Sequence, residues 1–296
     1  MPDDTLQHVS DTALWVAYYR AEESARSDAL FHDPYAKRLA GDRGRKIAQG
    51  MGSTARYTRW TLAIRTVVID RFIEEAIRDE GVDTVLNLGA GLDSRPYRMP
   101  TLPALLRWIE VDHPQIINHK ESLLAAEKPR CRLERVRLDL ADRAGRQQLF
   151  ADVSRRAGKV LVLTEGVLPY LSPEAVADLA ADLTACANFQ FWIAEYFSKE
   201  SYRYINNPDR LKRMKNTPFL FFPDDWLGFF EMRGWQPYET KYIGEETLRL
   251  GRKPPAPWYG FLFRFIVPRA KWESFRRMTG YILFTRTSES PNPKDR

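Results

Sequence analysis

The sequence predicts an α/β fold: a mostly parallel sheet with helices on both faces, preceded by a helical cap. Three observations lead there. From Val82 onward, short apolar runs alternate with helix-forming stretches of about a dozen residues, as in βαβ units. Before Val82 the chain reads as helix throughout. The first apolar run ends in Gly89-Ala90-Gly91, a turn type that opens a ligand site at the carboxyl edge of such sheets. With 296 residues, 44% of them hydrophobic, the chain can bury one large core. We divide it into a cap over 1–81 and a core over 82–296, folded together as one domain.

The cap opens with Ala13–Arg26, rich in Ala, Glu and Arg. In DPYAKRLAG, Asp33 is placed to cap a helix, Pro34 to begin it and Gly41 to stop it. Thr58–Glu80 repeats apolar residues at helical spacing (Leu62, Val68, Phe72, Ile73, Ala76) and ends at Gly81. Five parallel strands are then expected at Thr84–Leu88, Leu106–Val111, Leu133–Leu138, Lys159–Thr164 and Phe189–Tyr196. Helices at Pro114–Glu127, Ala141–Ala157 and Pro173–Ala187 separate the later ones. Ser198–Pro223 comes next as an insertion, with Tyr202, Tyr204, Phe219, Phe221 and Phe222 among Lys and Arg. That is the composition and place of a lid or substrate wall. Asp224 or Asp225 caps WLGFFEMRG, Gly234 stops it, and Trp235–Tyr242 and Tyr281–Thr287 read as further strands. Trp258–Met278 fits no single element, and SESPNPKDR is a frayed tail.

Composition narrows the function class. Cys131 and Cys186 stand far apart, with no C-x-x-C and no His cluster, so neither a metal site nor a disulfide framework is expected. MPDDTLQHVSD is not a secretory leader, and no apolar run reaches the ~18 residues of a membrane span. These features suit the cytoplasm. The net charge of +6 invites a nucleic-acid reading, but the basic residues are scattered except over Lys37–Arg65. That stretch is read as a solvated, partly helical face, and no nucleic-acid or membrane partner is expected.

The chemistry concentrates at Val85–Arg95, VLNLGAGLDSR. Gly89 permits the tight turn and Gly91 a close ligand approach. Asp93 puts negative charge where a dinucleotide's pyrophosphate would lie, which favours a cationic ligand without phosphate, as in S-adenosylmethionine. Asp112 follows the glycines by about 20 residues, where a carboxylate accepts ribose hydroxyls. Asp139 and Leu140 end the third strand, where an acid can take an adenine amino group and an aliphatic chain can cover the ring. Glu165 emerges from the fourth strand and needs a cationic partner to offset its burial.

LFHDPYAKRL, the Ile64–Ile69 segment, VLNLGAGLDSRPYRM, IEVDHPQIINHK, LDLAD and TEGVLPYLSPE occur in that order over about the first two-thirds of the chain. In this the chain resembles the leucine carboxyl methyltransferase-like family of class I S-adenosylmethionine-dependent methyltransferases. The resemblance implies a Rossmann-like class I methyltransferase fold whose seventh strand, Tyr281–Thr287, runs antiparallel. It implies S-adenosyl-L-methionine as cofactor, with Arg65 on the methionine carboxylate and Gly89 on the methionine portion. Asp112 would meet the ribose, Asp139–Leu140 the adenine and Glu165 the amino group, with Arg20 in a region that touches cofactor or substrate. Beyond Tyr196 the match weakens, which leaves the acceptor open.

Methyl transfer from a sulfonium is an in-line displacement in which charge is lost, so alignment and exclusion of water matter more than an oxyanion hole. A carboxylate acceptor needs no base; a hydroxyl does, and His113, His32 and Tyr170 are the candidates, Tyr170 also for positioning substrate. The expected activity is O-methylation of a small acidic or phenolic metabolite at a carboxylate or hydroxyl. The alternatives are methylation of a protein C-terminal carboxylate and a basic RNA-associated module. The sequence leaves the acceptor, the oligomeric state and the pathway open.

Overall fold

The structure, a computed structural model, describes residues 9–205, 218–255 and 268–287. Seven strands form one sheet: β1 Thr84–Leu88, β2 Arg107–Asp112, β3 Arg132–Arg137, β4 Val160–Leu163, β5 Phe189–Phe197, β6 Trp235–Tyr242 and β7 Thr279–Arg286. Their order is β3-β2-β1-β4-β5-β7-β6. The first five are parallel, and β7 pairs antiparallel with both β5 and β6. This is the expected α/β architecture, with the predicted strands displaced at their ends by no more than a residue or two.

The central strands are buried on both faces, which is why they read as continuous apolar runs. Alternation within each strand then divides the core in two. Val85, Trp108, Leu161, Leu163 and Ile193 face the long helix α3, Ala55–Asp79, through its Ile64, Val68 and Phe72. Leu86, Leu88, Val160, Val162 and Trp192 face the opposite layer. There the helix Arg143–Arg156 contributes Phe150 and Val153, and the helix Pro173–Thr184 contributes Leu179 and Leu183. Each such side chain contributes about 1.5–3 kcal/mol, so both faces of the sheet anchor the site that its edge carries.

Two helices lie ahead of α3: α1, Val9–Ser24, and α2, Ala36–Gly50. Gly41 does not stop α2 as predicted. Its φ of +57° makes a kink, and the helix resumes so that Ile47 and Ala48 are buried, Ala48 against Tyr19 and Leu62. Asp33 does cap: its Oδ1 accepts from the Tyr35 and Ala36 amides, although the helix starts at Ala36 and not at Pro34. Its Oδ2 accepts from Arg20 Nε at 2.9 Å and Ser94 Oγ at 2.6 Å, and Arg20 Nη2 donates to the Leu92 carbonyl at 2.6 Å. Burial would raise the Asp33 carboxyl; Arg20, Arg98 and the Ser94 hydrogen bond together outweigh it and hold it below its ordinary value. One buried carboxylate thus binds α1 and the start of α2 to the glycine turn of the core.

Asp225, rather than Asp224, caps the helix Trp226–Glu231 by accepting from the Gly228 amide. Three short helices carry no sequence expectation, Arg95–Arg98, Tyr202–Ile205 and Ile243–Arg249. Much of the expected lid, the first part of Trp258–Met278 and the final tail lie outside the described residues. Within 258–278, Arg269–Arg276 is helical. No described helix is long and apolar enough to cross a membrane.

Candidate functional site

The strand order reverses beside β1: the chain passes from β1 outward to β2 and β3, then returns to β4 on the other side. Open sheets of this kind leave a crevice outside the carboxyl ends of the strands at that point. A cavity of about 710 Å³ lies there, lined by Gly89–Asp93 and by residues from the ends of β2 to β5 and from β7. Gly89 has a φ of +66°, and a Cβ on it would stand 2.5 Å from Val167 Cγ2. Only glycine fits, and the backbone is thereby open to the cavity.

Asp112 ends β2 with both oxygens oriented by backbone amides, Oδ2 by Gly91 and Oδ1 by His113, each at 2.7 Å. Burial pushes this carboxyl above its ordinary value. Asp139, beyond β3, is exposed and accepts from the Ala141 amide at 2.9 Å; Leu140 packs half-buried beside it. Both line the cavity. The structure therefore brings Gly89, Ala90, Gly91, Asp93, Asp112, Asp139, Leu140, Glu165, Arg65, Arg20 and Tyr170 to one wall system, as the sequence pattern requires.

The charges there are organised differently from expectation. Glu165 already has two protein partners: Arg65 Nε donates to Oε1 and Arg95 Nη1 to Oε2, both at 2.6 Å. Burial would raise its pKa, but Arg65 and Arg95 together hold it down to about 2. Asp93 is likewise neutralised, by Arg95 Nη1 at 2.9 Å and by Asn87 Nδ2 at 2.9 Å, and stays ionised despite its burial. Arg95 and Arg98 share Asp70 behind the turn at 2.7 Å. Asp93 is thus a brace of the turn, and its charge is not free to repel an incoming anion. Arg95, the hub of this ladder, closes the VLNLGAGLDSR motif, yet nothing in the sequence pattern gives it a role.

Glu195, near the end of β5, escapes the sequence reading although it obeys the rule applied to the earlier strands, an acid at the carboxyl end of an apolar run. It is 2% exposed and lines the cavity. Its Oε1 accepts from the Gly166 amide, and its buried Oε2 has no hydrogen-bond partner among the described residues. Burial lifts the carboxyl to about 7, with Arg65 opposing. Tyr281 of β7 pairs in register with it and lines the same wall.

Tyr170 sits in a tight turn over Leu168–Tyr170, lines the cavity and meets Phe219 edge-on at 4.9 Å. The Leu220 amide fastens this part of the insertion to the Pro169 carbonyl at 2.7 Å. Of the insertion aromatics named from sequence, Phe219 lines the cavity, whereas Phe221 is buried against Trp226 and Phe222 packs on Tyr202. His113 lines the cavity 3.8 Å from Asp139; His32 is exposed and does not line it. No group of three metal-ligating side chains occurs among the described residues.

A phosphate-free adenosyl ligand fits these residues: a glycine cradle that a Cβ would fill, oriented carboxylates along β2 and β3, and a paired guanidinium–carboxylate ladder at β4. Comparison with known proteins agrees. Residues 13–184 match the leucine carboxyl methyltransferase family. A Frankia alni protein named as a candidate S-adenosyl-L-methionine-dependent methyltransferase is 32% identical over 267 residues, covering 83% of this chain and 90% of its own. Two crystal structures share the fold with a TM-score of 0.54. One is a DUF574 family protein from Streptomyces avermitilis, 14% identical, covering 94% of this chain and 97% of its own. The other is a candidate methyltransferase from Thermobifida fusca, 16% identical, covering 92% and 94%. The chain belongs to the leucine carboxyl methyltransferase family and is, with it, an S-adenosylmethionine-dependent methyltransferase.

Proposed function

We propose that this methyltransferase acts on oxygen, methylating a carboxylate or hydroxyl of a small, acidic or phenolic metabolite. The observation that carries this is the cavity itself, with acids on successive strand ends along one side and aromatic walls on the other. When bound, the cofactor supplies an electrophilic methyl group on a sulfonium. Asp112, fixed by two amides, accepts the ribose hydroxyls. Asp139 takes the adenine amino group and Leu140 covers the ring. Glu165 accepts the ammonium group, and Arg65 turns Nη1 and Nη2 to the carboxylate, since its hydrogen bond to Glu165 uses Nε. Gly89, Ala90 and Gly91 let the amino-acid portion lie against the backbone, while Asp93 holds Arg95 in place.

Tyr170 and Phe219 then exclude water and orient the acceptor at the β4–β5 side, the work that an in-line displacement chiefly needs. Transfer to a protein C-terminal carboxylate is the second reading, favoured by the description of the family that residues 13–184 match. An RNA-associated role is weakened by the pairing of Arg38, Arg43, Arg45 and Arg59 of the basic stretch with Glu127, Asp11, Asp42 and Glu22. The same reading puts the protein in the cytoplasm.

The test is transfer of an isotopically labelled methyl group to a fractionated cell extract, with mass identification of the product. A labelled metabolite carrying a new O-methyl group is the expected result. Label confined to protein C-termini would establish the second reading, and label on nitrogen or carbon would refute O-methylation.

A further inference from the structure

Beyond the binding groups, the cavity contains one carboxyl with an unused oxygen. Glu195 is buried, its Oε1 is fixed by the Gly166 amide, and its Oε2 has no partner among the described residues. The sheet order gives this oxygen a meaning. Asp112 and Asp139 lie on β2 and β3, to one side of the switch point; β5 and β7 lie on the other, past β4. The residues placed to hold an adenosine lie at the ends of β2 and β3 and those placed to hold an amino-acid portion at β1 and β4, which leaves the β5 side of the cavity for the acceptor. Tyr170 and Phe219 wall that end, and Tyr281 adjoins Glu195 there.

We infer that Glu195 is the general base of the reaction, taking the proton of a hydroxyl-bearing acceptor, and that the acceptor is therefore an alcohol, phenol or enol and not a carboxylate. This rests on the methyltransferase reading. In the step, the acceptor O–H bond breaks and its proton goes to Glu195 Oε2. The oxygen's electron pair forms the O–CH₃ bond as the S–CH₃ bond breaks, leaving a neutral thioether and an ether. The proton passes to water on product release. A carboxylate acceptor would bring no proton to remove, and its charge would face a buried acid.

The charged surroundings suit this role. Arg65 of α3, Glu165 beyond β4 and Tyr281 of β7 are the groups that act on Glu195, and Arg65 and Glu165 already form a neutral pair. The carboxyl therefore sits near 7, raised by burial, ready to ionise when a positive charge arrives and to take a proton back.

Calorimetry measures this without knowing the acceptor. S-adenosylmethionine and S-adenosylhomocysteine, which differ by the charged methyl group, are titrated into the full chain at pH 7 in phosphate and in Tris. The difference between buffers gives the protons released. The sulfonium compound should release a measurable fraction of a proton more than the thioether, as expected of a group partly protonated at that pH. Glu195→Gln should bind both while losing that excess, and Glu195→Asp should retain it. No excess in the wild type, or an excess that persists in Glu195→Gln, overturns the inference. Failure of both compounds to bind the folded chain would instead overturn the methyltransferase reading beneath it. With the labelled product in hand, a methyl ether formed at a rate that rises through pH 7 at limiting cofactor, and falls about 100-fold or more in Glu195→Gln, completes the case. A methyl ester refutes it.

Discussion

Replacing Glu165 by Gln tests whether the charge ladder, and not only the bound cofactor, holds the site together. Glu165 receives Arg65 Nε and Arg95 Nη1 at 2.6 Å in a nearly dry environment. The gap between its ordinary value of 4.5 and about 2 corresponds to about 3 kcal/mol of folding stability carried by the ionised form. Gln removes that charge and leaves Arg65 buried without its counterion, for which losses of about 3–5 kcal/mol are typical. The folded-state pKa is depressed, so the contribution is complete above about pH 4.5 and disappears as pH falls toward 2. Urea unfolding of the wild type and Glu165→Gln without cofactor, at pH 7 and again near pH 3, measures it. The deficit should be about 3 kcal/mol at pH 7 and shrink on acidification. A variant within about 0.5 kcal/mol of wild type, by the usual scale of an inconsequential surface change, would refute the ladder. So would a deficit indifferent to pH.

Three further outcomes rest on single contacts. Asp112→Ala should weaken S-adenosylmethionine binding about 10-fold or more while leaving the circular dichroism spectrum unchanged; an unaltered Kd in calorimetry would remove Asp112 from the site. Gly89→Ala should destabilise by about 1–3 kcal/mol, since the new Cβ meets Val167 at 2.5 Å on a backbone of positive φ. Val167→Ala should relieve the contact but not the backbone part, as a double-mutant cycle would show. Asp33→Ala removes a helix cap and the counterion of buried Arg20 together, so a loss of about 3 kcal/mol or more is expected in thermal unfolding. A loss under about 1 kcal/mol would mean that the cap is not bound to the turn as described.

How much of the fold is legible in the sequence depends on range. Thr84–Leu88 can be read to the residue because a strand covered on both faces leaves an unbroken apolar run. Gly41 reads as a stop and is a kink, because only the burial of Ile47 and Ala48 in the core reveals that the helix resumes. Ile243–Arg249 is too short for a period to declare itself. Within the site, position is legible and pairing is not. An acid at the end of an apolar strand marks the crevice from sequence alone, and the same pattern in FQFWIAEYF would have yielded Glu195.

The partners of those acids come from far along the chain: Arg65 is separated from Glu165 by 100 residues and Arg95 from it by 70. Asp93 changes role through nearer partners, two and six residues away in the same motif. Its charge discriminates against pyrophosphate only if it is unpaired, and Arg95 and Asn87 pair it. The preference for a sulfonium over a phosphate must then rest on groups that the protein leaves uncompensated. Around this cavity those include Asp112, lifted by burial with two amides as its hydrogen-bond donors, and Glu195, lifted further with one oxygen unmatched. Both are carboxyls for which a nearby positive charge lowers the energy of the ionised form. A pyrophosphate would raise it at each of them.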